Sequence, residues 1–188
     1  MKRIQSVTVF CGSGSGARPE YTEHAHLFGR LLAEHGLRVV YGGGRTGLMG
    51  ALADAVLEAG GSVVGVIPQH LVDREAAHEG VSELMIVDDM HQRKARLAAL
   101  GDCFVSLPGG SGTLEEFFEA WTWRRLGLHA KPSALLNTLG YWNGLIAMLE
   151  RMAVEQFMGE PDVRELVVED APETLMDRLV ELGGDTSK

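Results

Sequence analysis

Cysteine, lysine and aromatic residues are scarce in this chain of 188 residues, and no apolar run is long enough to cross a bilayer. The only two cysteines, Cys11 and Cys103, lie in or at the end of apolar runs that read as buried strands. Two thiols so placed exclude a disulfide framework and fit small, reduced core residues. Met1-Lys2-Arg3 leads directly into a strand-like segment with no apolar leader, so the expected location is the cytoplasm. Lysine and arginine number 17 against 26 acids, for a net charge of -9, and they form no basic stripe with interleaved aromatics. Long-range attraction to nucleic acid or to an anionic membrane is therefore not expected. Any anionic ligand must be held locally.

Glycine is abundant, with 24 residues gathered in loops rather than spread through a linker. Between the loops, short apolar runs rich in β-branched residues recur at Ser6 to Cys11, Leu37 to Tyr41, Ser62 to Ile67, Glu83 to Val87, Asp102 to Leu107 and Ser133 to Asn137. Helical apolar spacing runs from Pro19 to His35, Gly47 to Ala59, Met90 to Leu100, Gly112 to Leu126 and Tyr141 to Gln156, with a terminal helix from Pro172 to Glu181. Alternating strand and helix predicts an α/β fold, a doubly wound Rossmann-like parallel sheet with helices on both faces. The length fits a single domain over residues 1–182, with residues 183–188 as a frayed tail. The polar stretch from Pro68 to Ser82 breaks the alternation and is expected to be a connection near the site.

In an open parallel sheet the ligand lies beyond the carboxyl ends of the strands, where the strand order switches. Three such exits are glycine-rich: Cys11-Gly12-Ser13-Gly14-Ser15-Gly16, Gly42-Gly43-Gly44-Arg45-Thr46-Gly47 and Pro108-Gly109-Gly110-Ser111-Gly112-Thr113. Clusters of this kind let backbone N–H groups approach an anion at a helix N-terminus. Gly42, Gly44 and Gly47 satisfy the dinucleotide fingerprint formally, but they follow the second strand, and no acidic ribose partner ends the next one at Ile67-Pro68-Gln69. A nicotinamide dehydrogenase is disfavoured, and no segment forms an NTP-hydrolysing P-loop.

Glu115 and Glu116 are expected in the first turn of the helix after the third glycine loop, where the helix dipole favours carboxylates. Stability alone accounts for Glu115 there. Arg93 and Lys94 open the helix after the fourth strand and would project to the same sheet edge, one a rigid fork of donors and the other a mobile point charge.

Pro108-Gly109-Gly110-Ser111-Gly112-Thr113-Leu114-Glu115-Glu116, the second glycine loop continued through Leu48-Met49-Gly50, and Met90-His91-Gln92-Arg93-Lys94 together resemble the signature of the LOG, or "Lonely guy", family, whose bacterial members were labelled lysine decarboxylases. The resemblance implies a phosphoribohydrolase that releases a cytokinin-type base, N6-modified adenine or adenine, from a nucleoside 5′-monophosphate. It implies Arg93 and Glu116 as the catalytic pair, Lys94 and the loop of Gly109, Gly110, Gly112 and Thr113 as nucleotide contacts, and a homodimer. Gly12, Ser13, Gly43, Gly44 and Met90 are expected to complete the substrate site. Gln92 and Arg125 depart from the family pattern, which has Glu and Gln there.

Cleavage at C1′ builds positive charge on the ribose, which a carboxylate at Glu116 would stabilise. Arg93 has too high a pKa to be a general acid and is expected to hold phosphate or ribose oxygens. No cofactor is expected, and the histidines, His24 and His26 among them, show no metal-ligand spacing. A pyridoxal-phosphate decarboxylase needs a Schiff-base lysine, and Lys2, Lys94, Lys131 and Lys188 are unsuited to it. The alternative from another class is a non-hydrolytic nucleotide- or molybdenum-cofactor-binding carrier of the same fold. For the dimer, the helix bearing Phe117, Phe118, Trp121 and Trp123 is a candidate surface, with core packing expected for most of those rings.

Overall fold

The computed structural model describes residues 3–72 and 76–184. Seven strands, β1 (Ser6–Phe10), β2 (Arg38–Tyr41), β3 (Val63–Pro68), β4 (Glu83–Val87), β5 (Cys103–Ser106), β6 (Ser133–Leu136) and β7 (Val167–Glu169), form one sheet in the order β4-β3-β2-β1-β5-β6-β7. Every pairing is parallel. Val9 stands beside Tyr41 on one flank and Val105 on the other, so β1 is the central strand. Both flanking exits, after β1 and after β5, are glycine loops, and the strand order reverses between them.

Strand alternation sends Val7, Val9, Val39 and Tyr41 to one face, where they pack with Phe28, Leu32, Leu52, Val56 and Leu175. Those partners belong to the helices α1 (Pro19–Glu34), α2 (Gly47–Glu58) and α7 (Pro172–Gly184). Phe10, Val40, Val64 and Val66 face the other way, onto Leu97 of α3 (Met90–Leu100) and Ala120 of α4 (Ser111–Arg125). A second cluster on that side joins Phe117 and Trp121 of α4 to Leu135, Trp142 and Leu149, the last on α5 (Asn143–Val154). The period of two in buried strands thus supplies two apolar faces, each covered by helices.

Two junctions fix the sheet edge that carries the loops. Gly47 opens α2 at φ +59°, and a Cβ there would stand 2.4 Å from the Ser13 carbonyl carbon, so loops one and two touch backbone to backbone. The connection from β4 to β5 starts at the sheet edge and returns to its centre, so α3 crosses β3, β2 and β1. The Thr8 hydroxyl of β1 anchors the far end of α3 by donating to the Leu97 carbonyl at 2.8 Å.

Several expectations shift. β7 and the short helix α6 (Glu160–Arg164) lie where the sequence shows no full period: β7 is a three-residue edge strand, half-buried throughout. A 3-10 turn at Thr138–Gly140 shortens α5 at its start. Gly183 and Gly184, expected in a frayed tail, continue α7, while residues 185–188 of that tail lie outside the described residues. Both cysteines are free and buried. Phe117 and Trp121 are core residues, whereas Phe118 and Trp123 are half-buried. Among the described residues no helix is long and apolar enough to cross a membrane.

Candidate active site

The three glycine loops interlock. Gly12 N donates to the Pro108 carbonyl at 3.0 Å, and Leu48 N donates to the Gly12 carbonyl at 3.1 Å, so one residue of loop one bridges loops two and three. Gly109 packs so closely that a Cβ there would meet Thr113 Oγ1 at 2.1 Å and Gly12 N at 2.8 Å. Beside Gly110 and Gly112, by contrast, the space is open. Gly110 precedes α4 without any side-chain cap, which leaves the first-turn donors of that helix for a ligand.

Arg93 is 5% exposed. Asp89 caps α3 by accepting from Gln92 N at 2.8 Å, and one turn on the guanidinium reaches over the ends of two strands. Its Nε donates to the Val66 carbonyl at 3.2 Å and its Nη2 to the Gly42 carbonyl at 2.8 Å. Two of the five guanidinium N–H groups therefore fix its plane against the backbone. A Cβ on Gly42 would fall 2.3 Å from that Nη2, so glycine here is the seat of the arginine.

The described parts of the 68–82 connection, residues 68–72 and 76–82, form a strap beside loop two. After a 3-10 turn at Gln69–Leu71, Arg45 N donates to the Ala76 carbonyl, Gly44 and Ala77 form an antiparallel bridge, and His78 N donates to the Gly43 carbonyl. Leu71 reaches the cavity from this strap.

These parts enclose an open cavity of about 310 Å³. Of the residues expected from sequence, Gly12, Ser13, Met90, Arg93, Gly110, Gly112, Thr113 and Glu116 line it. Gly43, Gly44, Gly109 and Lys94 do not. Gly43 turns at φ +81° against Gly65, Gly44 is occupied by its bridge to Ala77, and Gly109 lies under Thr113. Lys94 is turned toward α4, where its ammonium pairs with Glu115 at 2.9 Å and Glu119 at 3.0 Å. Helix α4 begins at Ser111, which puts Glu115 and Glu116 in the second turn, beyond the first-turn reach of the helix dipole. Val9, Cys11, Gly42, Met49, Leu71, Ser111 and Glu115 also line the cavity, although none of them is expected in the substrate site from sequence and Glu115 is expected to have a stabilising role alone. Of these, Gly42, Cys11 and Ser111 carry a signal in the sequence by standing inside the glycine loops, and Met49 and Glu115 by standing in the segments that continue them.

The electrostatics are local. Burial pushes the Cys11 thiol far above its ordinary range, and the nearby charge of Glu116 adds to this, so at the cavity wall Cys11 is a neutral, apolar group. The departures at Gln92 and Arg125 are absorbed outside the cavity: the Gln92 amide donates to Asp88 at 2.9 Å and Arg125 to Asp162 at 3.0 Å. His24 sits beside Thr138 Oγ1 at 3.0 Å and His26 beside Glu58 at 3.3 Å. Among the described residues no group of three or more His, Cys, Asp or Glu could hold a metal ion.

The chain is 53% identical over 165 residues, 87% of its length and 83% of the relative's, to a cytokinin riboside 5′-monophosphate phosphoribohydrolase of Rhodococcoides fascians. It is 46% identical over 166 residues, 88% of its length and 76% of the relative's, to an Arabidopsis thaliana protein of the same name. The family model described as possible lysine decarboxylase matches residues 49–179. Among solved structures, a molybdenum cofactor carrier protein of Chlamydomonas reinhardtii superposes with a TM-score of 0.74 over 97% of this chain and 98% of that one at 19% identity, a likeness of fold alone. The structural-genomics target TM1055 superposes with a TM-score of 0.73 over 96% and 99% at 27% identity.

Proposed function

This chain belongs to the LOG family of cytokinin riboside 5′-monophosphate phosphoribohydrolases, the possible lysine decarboxylase family, and on that premise we propose that it hydrolyses the N-glycosidic bond of a purine nucleoside 5′-monophosphate. The base is adenine or an N6-modified adenine, and the products are free base and D-ribose 5-phosphate. The observation that carries the reading is that Arg93 of α3 meets Glu116 and the uncapped start of α4 in one cavity.

The 5′-phosphate rests on the first-turn donors around Gly110, Ser111, Gly112 and Thr113. The ribose then lies near Glu116, whose carboxylate stabilises the positive charge building at C1′ and orients the attacking water. Arg93, locked by the Gly42 and Val66 carbonyls, holds an oxygen of the sugar or phosphate without rotating away between turnovers. Val9, Met49, Leu71 and Met90 offer the apolar wall against which a purine packs. Gly12 and Ser13 close the phosphate end, while Gly43, Gly44 and Gly109 serve at one remove by holding loops and strap. The active form is a cytoplasmic homodimer of single-domain subunits requiring no cofactor.

The test is metal-free incubation with AMP, with adenosine, and with N6-isopentenyladenosine 5′-monophosphate, resolving free base and ribose 5-phosphate by chromatography. Base release from the monophosphates only, lost in Arg93→Ala and Glu116→Gln, is the expected result. Tight nucleotide binding without base release would instead favour the carrier reading.

A further inference from the structure

A phosphate site made of backbone depends on how its peptide planes are turned, because a planar trans peptide points its C=O and the next residue's N–H in opposite directions. Holding a carbonyl therefore aims an amide. Every peptide bond of the third glycine loop is trans, and three consecutive carbonyls in it accept from three different elements. The Pro108 carbonyl accepts from Gly12 N of loop one at 3.0 Å, the Gly109 carbonyl from the Tyr141 hydroxyl at 2.6 Å, and the Gly110 carbonyl from Leu114 N within α4 at 3.1 Å. The first and last of these donors are backbone. The middle one is a side chain, and it sets the plane that carries the Gly110 N–H, at the residue that lines the cavity just before α4.

The turn before α5 is shaped to present that hydroxyl. Leu139 and Gly140 are both left-handed, at φ +54° and +72°, the first a conformation uncommon for any residue with a side chain. Asn137, buried, fixes the turn from inside: its Oδ1 accepts from Trp142 N at 2.7 Å, and its Nδ2 donates to Asn143 and Asp170 at 3.0 and 2.9 Å. The Tyr141 ring makes edge contacts with Trp142, at 4.7 Å between centroids, and with Tyr21 of α1, at 5.7 Å. Tyr21 in turn packs on Gly16 of loop one, where a Cβ would stand 2.7 Å from its ring. Tyr141 itself is not part of the cavity wall. Its one hydroxyl proton goes to Gly109, so it has none to give to an anion.

We infer that Tyr141 is a positioning residue of the phosphate site: by holding the Gly109 carbonyl, its hydroxyl turns the Gly110 N–H toward the bound phosphate without touching the ligand. The inference rests on the proposed nucleotide site. A phosphate that is held less well is lost from substrate and transition state alike, so the effect falls on KM and affinity rather than on kcat.

The experiment compares Tyr141→Phe, which removes one oxygen and keeps the ring, with the wild-type chain. It uses AMP kinetics, calorimetric titration with ribose 5-phosphate, and amide spectra of glycine-labelled protein, after thermal melts show the variant folded. KM for AMP and the dissociation constant of ribose 5-phosphate are both expected to rise about fivefold, as for the loss of one hydrogen bond. The expected change in kcat is less than about twofold. In the ligand-free variant the Gly110 amide resonance moves, because its peptide has lost an acceptor bond. Unchanged binding of ribose 5-phosphate, or a fall in kcat with KM unmoved, would overturn the inference. Weakened binding with the Gly110 resonance in place would make the hydroxyl a direct ligand contact and overturn it as well. If the wild type bound ribose 5-phosphate but released no base, hydrolysis alone would fail, and the titration and spectra would still decide the role of Tyr141. A wild type that did not bind ribose 5-phosphate would overturn the inference, whatever its turnover.

Discussion

The imidazole of His78 lies 2.8 Å from the Asp54 carboxylate through Nε2, while its Nδ1 accepts the Gly80 N–H at 3.2 Å. A backbone N–H can only donate, so the ring proton sits on Nε2 and is given to Asp54. This pair ties the strap that carries Leu71 to α2, directly behind the loop whose Gly42 carbonyl seats Arg93. His78 is 5% exposed, so its replacement by alanine leaves a buried gap and a carboxylate without its donor. His78→Ala is expected to cost about 1–3 kcal/mol of stability and to raise KM through the displaced Leu71. Urea denaturation and AMP kinetics check it; wild-type values for both would mean that the strap is held by its backbone bonds alone.

Two glycines of the same loop should respond in opposite ways to one methyl group. Gly109→Ala must push aside Thr113 and the Gly12 amide, which lowers the melting temperature and disrupts both loops. Gly112→Ala meets open space in the first turn of α4, where alanine is favoured over glycine by up to about 1 kcal/mol. The second variant should be as stable as wild type or more so, and yet bind ribose 5-phosphate less tightly because the methyl occupies the phosphate position. Equal binding by Gly112→Ala and wild type would remove the phosphate from this end of the cavity.

Replacement of Arg93 should separate seat from chemistry. Arg93→Ala strips a donor from the Val66 and Gly42 carbonyls in a buried site, at about 1–3 kcal/mol for a group left unsatisfied. Arg93→Lys keeps the charge but cannot present a planar fork to two carbonyls, so it should fold and lose at least about tenfold in kcat/KM, equivalent to about 1.4 kcal/mol. Thermal melts alongside AMP turnover distinguish the two; a fully active lysine variant would show that charge alone suffices.

The buried thiols make an alkaline prediction. Cys103 is pushed up to about 12 from 9.0, mainly by burial and then by the Asp102 charge, and Cys11 is raised in the same direction. A raised folded-state pKa contributes stability that is complete below the unfolded value and declines as pH rises toward the folded one. Stability should therefore fall from about pH 9 upward, by roughly 1.4 kcal/mol per pH unit for each thiol. Urea midpoints at about pH 8, 9 and 10 test this, and the fall should be shallower in Cys103→Ala. An identical slope in that variant would place the effect elsewhere.

Six of the strands and the order of helices are legible because buried parallel strands leave continuous β-branched runs, and the three glycine loops stand out as breaks between them. β7 is hidden by its brevity and half-exposed edge position. Arg93 and Glu116 are legible as residue types near the right sheet edge. The side to which Lys94 turns is not, because it depends on how α3 crosses the sheet, and that crossing is set by strand order rather than by any local pattern. Gly42 likewise reads as one more loop glycine until the guanidinium lying against it is seen. The break in alternation from Pro68 to Ser82 does mark a connection near the site, as Leu71 in the cavity wall bears out, but its bridge between Gly44 and Ala77 joins residues that carry no periodicity.

The central place of β1 has a consequence for biosynthesis. Its two neighbours are β2, which follows closely in the chain, and β5, which begins at Cys103. A nascent chain that has emerged only as far as β4 can pair four strands, yet it presents the free edge of β1, a row of unpaired amides along one of the most apolar segments of the protein. Edges of that kind recruit strands from other chains. The return of α3 from the sheet edge is thus also the step that delivers β5 to this seam and closes it.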